Sequence, residues 1–319
     1  MLFQISAFMN ALKTYRIGAA TISKIPELLL TNFTPRALFP KIEDGVLANL
    51  PDWAASGTIN PETGNVILSV HTWLVKSPKY TILIDTGIGN DKYRPAIPVM
   101  DHLNEPYLER LAAAGVQEPA AVDYVLITHL HADHVGWSTR WKEGRWIPTF
   151  PNARYVFSAL EQSYCAGLAQ TDERVDAARV KANLGIPVRT PTQGVYEDSV
   201  EPIMEAGRAE LINIDGSKII DGISFHSTPG HSIDHASILL ESNGERALFG
   251  GDVLHHPLEI YRPDLVTMFC EFPDAALRSR KWLLEFASET GAMYFSSHFS
   301  VTSAGRITQH NGEYIWEFK

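Results

Sequence analysis

Residues 128–134 read THLHADH, three histidines and an aspartate within seven positions. Imidazoles and carboxylates are costly to bury without partners, and an exposed segment has no need of this crowding, so the spacing asks for something that holds the group together. The residues before it, VDYVLIT (122–128), form an apolar, β-branched run of the kind that makes a buried strand. If the chain stays extended past Thr128, His129 and His131 point the same way, two residues apart. A turn into a helix at HADHVGW then lets Asp133 and His134 face a second centre. Imidazole nitrogen and carboxylate oxygen without thiolate suit a divalent transition metal, zinc first by ligand type, with manganese, iron or cobalt compatible.

The same arrangement recurs along the chain. TILI (81–84) runs into Asp85, ISFHST (223–228) into His231, RALFGG (246–251) into Asp252, and MYFSS (293–297) into His298. Further strand-like runs lie at 65–75, 153–158 and 236–242, and helical patterns at 105–115, 159–169, 172–185 and 274–291. Asn104 and Gly115 bracket the first helix as caps, and Pro273 and Gly291 the last. The chain therefore reads as α/β, with sheets inside and helices outside. In such a protein acids and imidazoles that follow strands collect at one sheet edge, where ligands bind. Seven candidates, His129, His131, Asp133, His134, His231, Asp252 and His298, exceed what one tetrahedral site can use, so two metal ions are expected.

Composition narrows the class. The 319 residues are 45% hydrophobic and 20% charged, which is the make-up of a globular protein with a large core. The net charge of −10 argues against a general nucleic-acid surface. Every apolar run is far shorter than the roughly 20 residues of a membrane span. The opening MLFQISAFMN lacks the basic start of a secretory leader. Cys165 and Cys270 are the two cysteines, with no CxxC pair, which points to a reducing compartment and the cytoplasm. One domain over 1–319 is expected, with an N-terminal strand and extended arm over 1–64 and a helical insertion over 159–200. Within the arm, 31–64 is rich in Pro, Gly and Asn yet carries Phe33, Leu38, Phe39, Leu50 and Trp53. It reads as a packed arm that covers a pocket or docks on a second subunit in a homodimer.

HLHADH, LIDTG (83–87), TPGHS (228–232), GGD (250–252) and SSH (296–298), taken as an ordered set, resemble the metallo-β-lactamase superfamily. The resemblance implies a four-layer αβ/βα sandwich with two metal ions at one edge. By position, His129, His131 and His231 would hold the first ion and Asp133, His134 and His298 the second, with Asp252 bridging. Asp85 would orient ligand imidazoles. The long stretch between His134 and His231, together with GDVLHH, resembles the methyl parathion hydrolase and lactonase-like branch. The lactonases of the superfamily carry tyrosine three residues after the bridging aspartate. Here that residue is His255, open to a catalytic or a structural reading, while Tyr261 or Tyr196 could supply a phenol from elsewhere.

The implied chemistry is hydrolysis by a hydroxide held between two cations, with Asp133, Asp252 and His255 as the catalytic group. The expected substrate is an ester or lactone of a small, fairly apolar molecule, because Trp137, Trp141 and Trp146 follow the metal motif closely and could line its pocket. Phosphotriester hydrolysis is the alternative within the same family. A non-catalytic ligand-binding or sensor module is the alternative outside catalysis.

Overall fold

A computed structural model describes residues 13–220 and 222–319. The leader reading of MLFQISAFMN and the first twelve residues of the 1–64 segment lie outside the described residues. The chain divides into two compact units, each discontinuous in sequence: one holds the residues up to Glu27, Val70–Asn183 and Thr190–Asn213, and the other Leu28–Ser69, Leu184–Arg189 and Ile214–Lys319.

The first unit is built on a seven-stranded sheet of β1 (Thr14–Ile17), β2 (Ala20–Leu30), β3 (Leu68–Lys76), β4 (Thr81–Ile84), β5 (Tyr124–Leu126), β8 (Arg154–Ser158) and β9 (Ala209–Ile212), in that spatial order. A separate hairpin of β6 (Thr139–Lys142) and β7 (Arg145–Pro148) leaves it. Strand β3 is buried along almost its whole length, Leu68, Val70, Trp73, Leu74 and Val75 together with the polar Ser69, His71 and Thr72. From β4 to β9 all neighbours are parallel. Parallel strands need crossovers, and the longer helices lie in two of these: α1 (Tyr107–Ala113) joins β4 to β5, and α3 (Ala159–Gln170) with α4 (Arg174–Ala182) lies between β8 and β9. Between β5 and β6 sits the one-turn helix α2 (Ala132–Val135). Helix α1 is shorter than the 105–115 pattern. Its N-cap is Pro106, not Asn104, and Gly115 with φ +88° ends it as expected.

The second unit is built on β10 (Lys218–Ile220), β11 (Ile223–Ser227), β12 (Ala236–Ser242), β13 (Glu245–Phe249), β14 (Met293–Phe295), β15 (Ala304–His310) and β16 (Glu313–Phe318), antiparallel except for the β13–β14 pair. The crossover that parallel pair demands contains α5 (Leu258–Tyr261) and α6 (Pro273–Thr290). In α6 the buried set Ala276, Arg280, Leu283, Leu284 and Ala287 follows the helical repeat. Leu283 and Leu284 pack with Leu239, Leu248, Tyr294, Phe299 and Trp316, and each buried leucine contributes about 1.5–3 kcal/mol of transfer energy.

The arm belongs to this unit and is packed on it. Leu38 and Phe39 are buried, Phe33 meets the Phe269 ring edge-on, and the His256 imidazole lies 3.0 Å from the Thr58 carbonyl. Among the described residues no helix is long and apolar enough to cross a membrane.

Candidate metal centre

In the first unit, strand direction gathers the acid and the imidazoles. Strands β4 and β5 are parallel, so Asp85 and the residues after Leu126 leave the same edge of the sheet. Asp85 has φ +54°, a left-handed conformation that Asp tolerates better than most residues. Its Oδ1 accepts from the Thr128 amide at 2.9 Å, and its Oδ2 lies 2.8 Å from His134 Nδ1. The Thr128 hydroxyl bonds both Asp85 and, at 3.0 Å, His129 Nδ1. A carboxylate that accepts a hydrogen bond from Nδ1–H of His134 keeps the proton on Nδ1 and leaves the lone pair on Nε2, the tautomer a metal ligand needs. His131 is the extended N-cap residue of α2, and Asp133 and His134 lie within its single turn. The His129 ring centroid lies 4.5 Å from that of His131 and 4.1 Å from that of His134.

The second unit gathers His231, Asp252, His255 and His298. Gly230 carries the chain into His231 so close to α6 that a Cβ there would stand 2.0 Å from the Ala276 nitrogen, a space open only to glycine. His231 Nε2 lies 3.1 Å from Asp252 Oδ2, His255 Nε2 3.2 Å from the same oxygen, and His298 Nε2 3.0 Å from Asp252 Oδ1. All four residues are buried. The ligand atoms of His231, Asp252 and His255 lie within 4.8 Å of one another, the reach of a shared cation. Burial works against a charged His255, yet the carboxylates of Asp252 and Glu259 more than offset it and hold its pKa up to about 9. Donor type, burial and convergence all fit a divalent ion on imidazole and carboxylate.

Several supporting residues stand outside the motifs of the sequence. His235 receives the Asp252 amide on Nε2 at 2.9 Å, while its Nδ1 lies 3.1 Å from the Thr228 carbonyl. It stands four residues beyond His231, so TPGHSIDH was the available signal. Glu259 accepts from the amides of His255 at 2.5 Å and His256 at 3.1 Å and forms an ion pair with Arg280 of α6. This chain, Arg280 to Glu259 to His255 to Asp252, places His255 inside the acidic cluster.

The aromatic candidates disperse. Trp137 is buried, stacked on Tyr107 at 4.8 Å, with its indole Nε1 donating to Glu27 at 2.7 Å. Trp141 and Trp146 line a cavity of about 440 Å³ with Arg145, Pro148, Glu197 and Pro202. Tyr261 donates to the Asn49 carbonyl at 3.2 Å and meets Trp53 edge-on, and Tyr196 accepts from Gln162 at 2.8 Å. A second cavity of about 340 Å³ in the first unit is lined by Leu130, Cys165, Leu168, Val195, Tyr196 and Val200.

Residues 66–298 match the sequence profile of the metallo-beta-lactamase superfamily. The probable metallo-hydrolase YybB of Bacillus subtilis (strain 168) is 25% identical over 205 residues, 62% of this chain and 71% of the relative. Among solved structures, the hydrolase AbOPH of the beta lactamase superfamily superposes with a TM-score of 0.72 at 25% identity, covering 96% of this chain and 97% of its own. AidC, a dizinc quorum-quenching lactonase in complex with its product, superposes with a TM-score of 0.70 at 19% identity over 98% of both chains, which shows the shared fold.

Proposed function

The chain belongs to the metallo-β-lactamase superfamily and is a metal-dependent hydrolase, and from that membership we propose that it opens an ester or lactone of a small, fairly apolar molecule at a dinuclear centre. On this reading His129, His131 and His231 would hold one cation and Asp133, His134 and His298 the other, with Asp252 available to both, as the family's order of motifs implies. The observation that carries this reading is the Asp252 carboxylate, with imidazoles on both of its oxygens inside a buried pocket. When bound, divalent ions of this kind lower the pKa of water and polarise the oxygen of an acyl group.

The chain's own residues set the rest. Asp85 fixes the His134 tautomer, His235 fixes the Asp252 backbone, and Glu259 holds the His255 loop. Zinc is the favoured ion because imidazole and carboxylate donors suit it. The carbonyl preference follows the lactonase AidC, and the apolar preference rests on Trp141 and Trp146, which share one cavity wall.

The test is kcat/KM of zinc-loaded or manganese-loaded protein across matched lactones, aryl esters and aryl phosphotriesters, with Asp252→Ala alongside. Lactones or esters lead the panel, and Asp252→Ala loses at least ~100-fold in activity together with retained metal, the upper range for residues that support a metal site. A lead for phosphotriesters sinks the carbonyl reading. A fully metallated protein that turns over none of the panel is a ligand-binding module instead.

A further inference from the structure

Glu27 lies on β2, buried where a carboxylate is rarely found. Its Oε2 accepts from the Ile88 amide at 2.7 Å, and its Oε1 from the Gly89 amide at 2.9 Å and the Trp137 indole at 2.7 Å. These donors sit on two segments of the first unit, the loop that begins at Asp85 and the stretch that begins at His134. The segments are laced together by backbone. The Thr86 amide donates to the His134 carbonyl at 2.7 Å, the Gly136 amide to Gly87 at 2.8 Å, and the Trp137 amide to Thr86 at 2.8 Å. They lie so close that a Cβ on Gly136 would stand 1.7 Å from the Ile88 carbonyl oxygen. At the near end the pair is closed by Asp85 on His134, and at the far end by Glu27.

We propose that Glu27 is a positioning residue for the metal centre, its carboxylate locking the 85–89 loop to the Trp137 end of the 134–138 segment so that Asp85 aims the His134 imidazole. The inference rests on the metal reading above and extends it to a residue that sequence proximity does not reveal.

The lock depends on charge. Burial pushes the Glu27 pKa up to about 7, against the pull of its three N–H bonds. Around it stand Glu105, whose charge raises the value further, and Tyr107, whose own proton is held well above its usual range by burial. Arg110 donates to the Glu27 backbone carbonyl at 2.8 Å and to Glu105 at 2.7 Å. A protonated Glu27 turns one acceptor into a donor, so one of its three bonds is lost. The loop therefore grips above neutral pH and loosens below it.

The test measures zinc affinity by competition with a chromophoric chelator from pH 6 to pH 8, for the wild-type protein and for Glu27→Gln. The Trp137 indole NMR resonance, identified by its loss in Trp137→Phe, is followed over the same range. At pH 8 the Gln variant binds zinc about 10–100-fold more weakly, as expected for loss of a group that orients ligands. By pH 6 the two proteins converge, and the wild-type indole resonance moves with a midpoint near the Glu27 pKa of about 7 while that of the Gln variant stays still. Equal affinity at every pH, a ratio that does not change with pH, or a wild-type indole that does not titrate would overturn the inference. A wild-type protein that binds no zinc overturns the metal reading itself, and the inference with it. Should Glu27→Gln fail to fold, Trp137→Phe removes one of the three donors and carries the same test. Its zinc affinity at pH 8 falls, and unchanged affinity overturns the lock.

Discussion

At the scale of single residues, the centre depends on which nitrogen of each imidazole holds the proton. Asp85 decides this for His134, through the 2.8 Å contact to Nδ1. Asp85→Asn keeps the shape and tolerates the left-handed backbone, but it can set an amide N–H against the His134 N–H and favour the wrong tautomer. Zinc affinity falls about 10–100-fold, measured by chelator competition. Full affinity in the Asn variant would remove Asp85 from the orienting role. Ligand candidates were legible because their spacing is local: HLHADH writes four donors into six residues. Their supports were not. Glu27 lies 110 positions from the indole it holds, and Glu259 is paired by Arg280, 21 positions on, so neither carries a local pattern. Trp137 is placed by the same kind of distant contact, its indole on Glu27, since closeness along the chain says nothing about which way an indole turns.

At the scale of elements, α6 does more than cover a sheet. Its Arg280 is fully buried, donates to the Pro263 carbonyl at 3.1 Å and to that of Leu265, and pairs with Glu259. The helix thus ties down the loop that carries His255 after Asp252. Arg280→Met strands the Glu259 charge in the interior and costs about 3–5 kcal/mol of stability in denaturant unfolding. Adding Glu259→Gln removes the stranded charge, keeps an acceptor for the His255 and His256 amides and recovers part of that loss. A double variant as unstable as the single one would show that the ion pair is not what Arg280 contributes. The amphipathic repeat of α6 and the apolar runs of β4, β5, β12 and β14 were readable because each has one buried face or two. Strand β2 was not, because Lys24 and Pro26 interrupt its pattern. Pro26 lies beyond the register in which β1 pairs with Ala20–Ser23, so that pairing loses no hydrogen bond to it. The 139–148 hairpin and the C-terminal strands β15 and β16 went unread as well, since exposed residues alternate through much of them.

At the scale of the whole molecule, buried titratable groups give stability a pH dependence. Burial lowers the His256 pKa from 6.5 to about 4, where the neutral ring contacts the Thr58 carbonyl and receives the Leu258 amide. A group depressed in the folded state binds more protons when unfolded, so its contribution is present above pH 6.5 and drains away towards pH 4. Its size is about 3 kcal/mol at roughly 1.4 kcal/mol per pH unit. The metal-free protein loses stability across that window, and His256→Asn, which does not titrate, shows a shallower acid slope. Identical slopes would assign the loss to other groups. Superfamily and fold were legible because the motifs come in order over most of the chain, whereas the division into two interleaved units was not, because it depends on contacts between distant segments.

That interleaving sets a timetable for synthesis. Leu28–Ser69 leaves the ribosome early, but the bulk of its own unit begins only at Ile214. At about 5–20 residues per second, the segment with Leu38, Phe39 and Trp53 waits on the order of ten seconds before its partners exist. During that interval its apolar side chains are open to any passing surface. A nascent chain halted near residue 213 should recruit chaperones through this segment.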